Sequence, residues 1–95
     1  MTDNMKIKTI CFDIDNVICK TNTKRNYSKS IPIKKNIKII NQAYSNGYNI
    51  VLYTARYMGR YKGNITKVKK HIKPLTLKQL KIWGVKYHKI YFGKP

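Results

Sequence analysis

Acidic residues are almost missing from this chain. Of its 95 residues only Asp3, Asp13 and Asp15 are acidic, against 21 lysines and arginines, for a formal net charge of +18. Arginine is scarce too: Arg25, Arg56 and Arg60 are the only three. Forked phosphate recognition favours arginine, so a lysine-dominated, evenly spread charge reads as a solvated surface rather than a nucleic-acid reading head. The two cysteines, Cys11 and Cys19, lack the spacing of a zinc site or a redox pair and read as reduced structural thiols. No apolar run approaches the roughly 18 residues of a membrane span. The start "MTDNMKIK" has no apolar core of a signal peptide, so the expected compartment is the cytoplasm. Without repeats or a Gly/Ser linker, residues 1–95 are expected to form a single domain with one modest core.

What is present alternates in kind. Residues 7–14, "IKTICFDI", are β-branched, aromatic and nearly continuous in hydrophobicity, as in a strand covered on both faces. Residues 20–30 are polar and predict a loop or short flap. Pro32 stands where a first-turn proline is tolerated, and Ile33, Ile37, Ile40 and Tyr44 follow at helical spacing until Gly47. "YNIVLYT", residues 48–54, predicts a second strand, and 55–64 a loop. A basic helix over about 65–72 is followed by a second, capped by Thr76 and ended by Gly84, with Leu80 and Trp83 at core spacing. "HKIYF", residues 88–92, is the last strand. Strand–helix alternation predicts an α/β fold, a three-layer, Rossmann-like open parallel sheet with helices on both faces.

The scarce carboxylates then acquire a place. Asp13 and Asp15 stand at the carboxyl end of the first strand, where open parallel sheets bind ligands. Residues two apart on a strand face the same way, so both carboxylates are expected to open on one small volume. Two like charges that close call for a cation, a proton, or a division of labour between acid and base. The plainer alternative is one aspartate capping a turn and the other solvated. Thr54 ends the second strand as Asp13 ends the first, and Lys94 follows the third. Arg56, two residues past Thr54, is either a substrate contact or a surface arginine on a loop. His71 and His88 have no partner at ligand spacing, and the eight tyrosines are expected to pack.

"FDIDNV", "VLYTAR" and "FGKP" resemble the first three motifs of the haloacid dehalogenase (HAD) superfamily of phosphatases. The tract "LTLKQLKIWGVKYHKIYFGKP" is similar, more narrowly, to the small phosphatases found with bacterial capsule and surface-polysaccharide biosynthesis genes. The resemblance runs from about Lys6 to Pro95. It implies that Asp13 is a nucleophile forming an aspartyl phosphate, and that Asp15 is the general acid and base. It puts Thr54, Ala55, Arg56 and Lys94 around the substrate phosphate. It also implies Mg2+, held by an Asp13 carboxylate oxygen and the Asp15 main-chain carbonyl.

The superfamily's fourth motif, acids beyond a further strand, has no counterpart here, because the one remaining acid is Asp3. The expected domain is therefore shortened by its last strand and helix, and 16–31 leave no room for a cap. The expected activity is a magnesium-dependent phosphohydrolase acting on a small phosphorylated sugar or polysaccharide precursor, with no membrane or nucleic-acid partner. Two alternatives stay open: an impaired or phosphate-binding relative that keeps the pocket but not the metal, and a basic nucleic-acid-binding protein.

Overall fold

The apolar run ahead of the paired aspartates forms strand β1 (Thr9–Asp13) in a computed structural model that describes residues 7–21, 26–58 and 61–93. A two-residue strand β2 (Cys19–Lys20) pairs antiparallel with β3 (Ile31–Pro32), and a 3-10 turn (Tyr27–Lys29) lies between them in sequence. The polar segment predicted as a loop or flap is thus bracketed by a small hairpin, and its residues 22–25 lie outside the described residues. Helix α1 (Lys34–Ser45), strand β4 (Asn49–Thr54), helix α2 (Ile65–Ile82) and strand β5 (Lys89–Phe92) complete the described order.

The main sheet has the order β1-β4-β5 and is parallel throughout, with Asp13 opposite Tyr53 and Thr54 opposite Phe92. This is an open parallel α/β fold, as the alternation of elements predicts. The core gathers on one face. Ile14, Ile18, Ile37, Ile40, Ile50, Leu52 and Leu80 form one buried cluster, which joins both helices to the sheet. Burying each of these side chains contributes about 1.5 to 3 kcal/mol. Val68 and Ile72 of α2 close a second cluster over Phe92.

The expectation of helices on both faces is met on one face only. Both crossovers step in the same direction, from β1 to β4 and from β4 to β5. Two right-handed crossovers that step the same way lay their helices on the same side. Alternation along the strands puts Thr9, Cys11, Asp13, Val51, Tyr53, Lys89 and Tyr91 on the opposite face. Among the described residues no helix covers that face. Tyr53 and Tyr91 stack there with ring centroids 5.4 Å apart, and Tyr91 is 45% exposed.

Two local expectations are corrected. Pro32 is not a first-turn proline: it sits opposite Cys19 in β3, an edge strand of a two-stranded sheet, where proline is tolerated, and α1 starts at Lys34. Residues 65–82 form one helix, not two, despite Pro74 inside it. Asn64 caps it, its side-chain oxygen accepting the Lys67 N–H at 3.1 Å. Val68, Ile72, Thr76, Gln79 and Leu80 make one continuous buried stripe, while Pro74 lies on the exposed side, so packing carries the helix through the proline. No helix among the described residues is long and apolar enough to cross a membrane.

Candidate functional site

The turn that follows β1 decides where the two aspartates go. The ladder to β4 extends one bond past the strand, with Ile14 N–H donating to the Tyr53 carbonyl at 3.0 Å. The chain then folds back: the N–H groups of Ile18 and Cys19 both reach the Ile14 carbonyl, and Asn16 takes a left-handed φ of 71°. Asparagine tolerates that conformation better than most residues. Because the strand ends at Asp13, two-residue alternation does not carry on to Asp15. Where Asp15 faces is therefore set by this turn and not by strand alternation.

Asp13 remains the half-buried last residue of β1, on the uncovered face of the sheet. The Asp15 carboxylate turns instead to Arg56, whose Nη2 lies 3.0 Å from Oδ1 and whose Nε lies 3.1 Å from both carboxylate oxygens. Thr21 donates its hydroxyl to the same Oδ1 at 2.7 Å. The cation that relieves the paired carboxylates is thus supplied by the chain, from the loop after β4.

Arg56 is not a surface side chain, since it is only 1% exposed. Its Nη1 donates to Gln79 Oε1 at 2.6 Å and Thr76 Oγ1 at 3.2 Å, both on α2. Its Nη2 also lies 3.5 Å from Cys19 Sγ, and the Tyr27 ring lies under the guanidinium at 4.8 Å. Every N–H of the fork has a protein partner, which leaves none for a substrate. The reading of Arg56 as a direct substrate contact is corrected on that ground.

Thr54 closes β4 and is 2% exposed; its hydroxyl accepts the backbone N–H of Arg56 at 3.1 Å, and its own hydrogen is still able to donate. Ala55 is exposed, and its carbonyl accepts from Met58 N–H in the next turn. Lys94 lies outside the described residues. Cys19 is buried beside this network, and burial above all, then the Asp15 charge, pushes its thiol up from the ordinary value of 9.0. Gln79 in turn donates to the Tyr27 carbonyl at 2.6 Å, tying α2 to the flap. Thr21, Cys19, Thr76 and Gln79 escaped sequence reasoning. The one available signal was the spacing of Thr76 and Gln79, three apart on one helix.

Among the described residues no three His, Cys, Asp or Glu side chains converge as a metal-binding group. His71 stacks on Tyr61, while His88 stacks on Tyr44 and accepts the Ile50 N–H at its Nδ1, 3.0 Å away. Hard oxygen donors suit Mg2+, which is commonly held by one or two carboxylates and keeps several waters. The Asp15 carboxylate is committed to Arg56; the Asp13 carboxylate and the Asp15 main-chain carbonyl are oxygen donors of the kind that ion takes. A groove of about 440 Å³ between α1 and the end of α2, lined in part by Lys34, Lys38 and Trp83, contains none of these residues.

The architecture is that of an open parallel α/β domain with polar side chains gathered at strand ends. It is similar to the crystal structure of a structural-genomics target from Vibrio cholerae, with 31% sequence identity and a TM-score of 0.87 over 94% of this chain and 72% of that one. The chain belongs to the same family as that Vibrio cholerae protein. No family model and no curated protein matches it.

Proposed function

We propose that this protein is a phosphohydrolase of the HAD type, with Asp13 as its nucleophile. The observation that supports this most is that Asp13 and Thr54 end neighbouring parallel strands, Asp13 being paired with the residue just before Thr54. Ligands of open parallel sheets bind beyond those ends. An Asp13 carboxylate oxygen attacks phosphorus; the bond to the leaving oxygen breaks, and that oxygen takes a proton from Asp15. Water then hydrolyses the acyl phosphate, with Asp15 accepting its proton. The Thr54 hydroxyl donates to the transferred phosphoryl group, and Lys94, which follows β5 in the sequence, neutralises its charge. Magnesium, when bound by Asp13 and the Asp15 carbonyl, supplies positive charge against the phosphate oxygens.

The substrate class, a phosphorylated sugar or surface-polysaccharide precursor handled in the cytoplasm, rests on the resemblance of the tract 75–95 to capsule-associated phosphatases. The test is release of phosphate from a generic aryl phosphate by the purified chain, with and without magnesium. Turnover that needs both magnesium and Asp13 is expected. Turnover unchanged in Asp13→Asn, or none from the folded chain, would contradict the reading.

A further inference from the structure

We infer that Arg56 is the positioning residue for Asp15, acting on the reaction only through that carboxylate; the inference rests on the phosphohydrolase reading above. The fork is used completely. Its Nε–H is shared between the two Asp15 oxygens, its Nη1 hydrogens go to Thr76 and Gln79, and its Nη2 hydrogens go to Asp15 and Cys19. An arginine that bound substrate would keep at least one donor turned outward. This one is oriented by α2 and in turn orients Asp15.

The two Asp15 oxygens are treated unequally. Among the described residues Oδ1 receives Nε, Nη2, the Thr21 hydroxyl and the Cys19 thiol, whereas Oδ2 receives only the shared Nε. The Asp15 side chain is 22% exposed while that of Arg56 is 0% exposed. Oδ2 is therefore the oxygen with room for a proton. As the phosphorus–oxygen bond to the leaving group breaks, its electron pair passes to the leaving oxygen. That oxygen takes the proton from Oδ2, and the resulting carboxylate stays paired with Arg56. A lysine could supply the charge here, but not the planar fork that fixes the tilt of the carboxylate.

Loss of proton donation has a signature that loss of folding does not, because it slows esters of weakly acidic phenols far more than those of strongly acidic ones. The experiment measures kcat and KM for a series of aryl phosphates spanning leaving-group acidity. The enzymes are the wild type, Asp15→Asn, Arg56→Lys and the double variant, each shown to be folded by circular dichroism and thermal melting. Asp15→Asn is expected to lose about a hundredfold in kcat on the poorest leaving group, the usual scale of general acid catalysis, and much less on the best. Arg56→Lys should steepen the leaving-group dependence in the same sense with KM unchanged, and should add nothing to Asp15→Asn.

Should Arg56→Lys not fold, Gln79→Met, which removes one of the two bonds orienting Nη1, is read in the same way. A wild-type leaving-group dependence in the folded variant would overturn the positioning role. So would a raised KM with unchanged kcat, which would return Arg56 to substrate binding. Absence of Asp13-dependent turnover in the wild type would overturn the phosphohydrolase reading itself, and the role with it. That failure is recognised before any change is made at Arg56.

Discussion

Replacing Asp15 by alanine should cost this domain much of its stability, because it strands a buried cation. Arg56 would lose the acceptor of two of its N–H groups, at 3.0 and 3.1 Å, while its side chain stays 0% exposed. Removing one partner of a buried ion pair typically costs about 3 to 5 kcal/mol. Asp15 is 22% exposed, so water entering the vacated space recovers part of this, and about 3 kcal/mol is the expected loss. For a domain of this size that corresponds to a fall in Tm of about 12 °C or more. Asp15→Asn keeps the shape and one acceptor oxygen and should cost about 1.5 kcal/mol. The assay is urea unfolding followed by circular dichroism, since guanidinium salts would screen the pair being measured. A loss under about 0.5 kcal/mol for Asp15→Ala, the level of an ordinary surface change, would refute the reasoning. It would mean that Arg56 does not depend on Asp15 for its place in solution.

Other consequences are local. Gly93 has a φ of +88°, and a Cβ there would overlap Ile65 Cδ1, so Gly93→Ala should destabilise by about 1 to 3 kcal/mol in thermal melts. An unchanged Tm would contradict that geometry. Cys11 is exposed and Cys19 buried with its thiol pushed up, so a disulfide reagent at neutral pH should modify one thiol quickly and the other only on unfolding. Equal rates at both positions would show that the Asp15–Arg56 network opens readily.

The strands were legible because "IKTICFDI", "YNIVLYT" and "HKIYF" are short apolar, β-branched runs, and each lies within two residues of the strand it forms. Helix α1 was legible from its isoleucine spacing, but its start was not. Pro32 suits a first turn and an edge strand equally well, and only the pairing with Cys19 decides between them. Thr76 read as the cap of a second helix, where a buried stripe from Val68 to Leu80 makes one. That both described helices lie on one face could not be read at all, because strand–helix alternation is silent about the direction in which successive crossovers step. In the candidate site, strand-end logic put Asp13 and Thr54 at the ends of neighbouring strands, where they stand. It could not find the burial of Arg56, since the side chains that enclose it, Thr76 and Gln79, are 20 and 23 residues away in sequence. A charged group next to a motif looks like a ligand contact until its partners are known.

The central claim, that Asp13 is the group that receives the phosphoryl, is tested most directly by catching it. The chain is mixed with an aryl phosphate and magnesium, quenched in acid within the first turnovers, digested, and its peptides weighed. A phosphoryl group on the peptide carrying Asp13, absent from Asp13→Asn, is the result the account predicts. Phosphate release by a chain whose Asp13 peptide is never modified, or modification that survives Asp13→Asn, would contradict it.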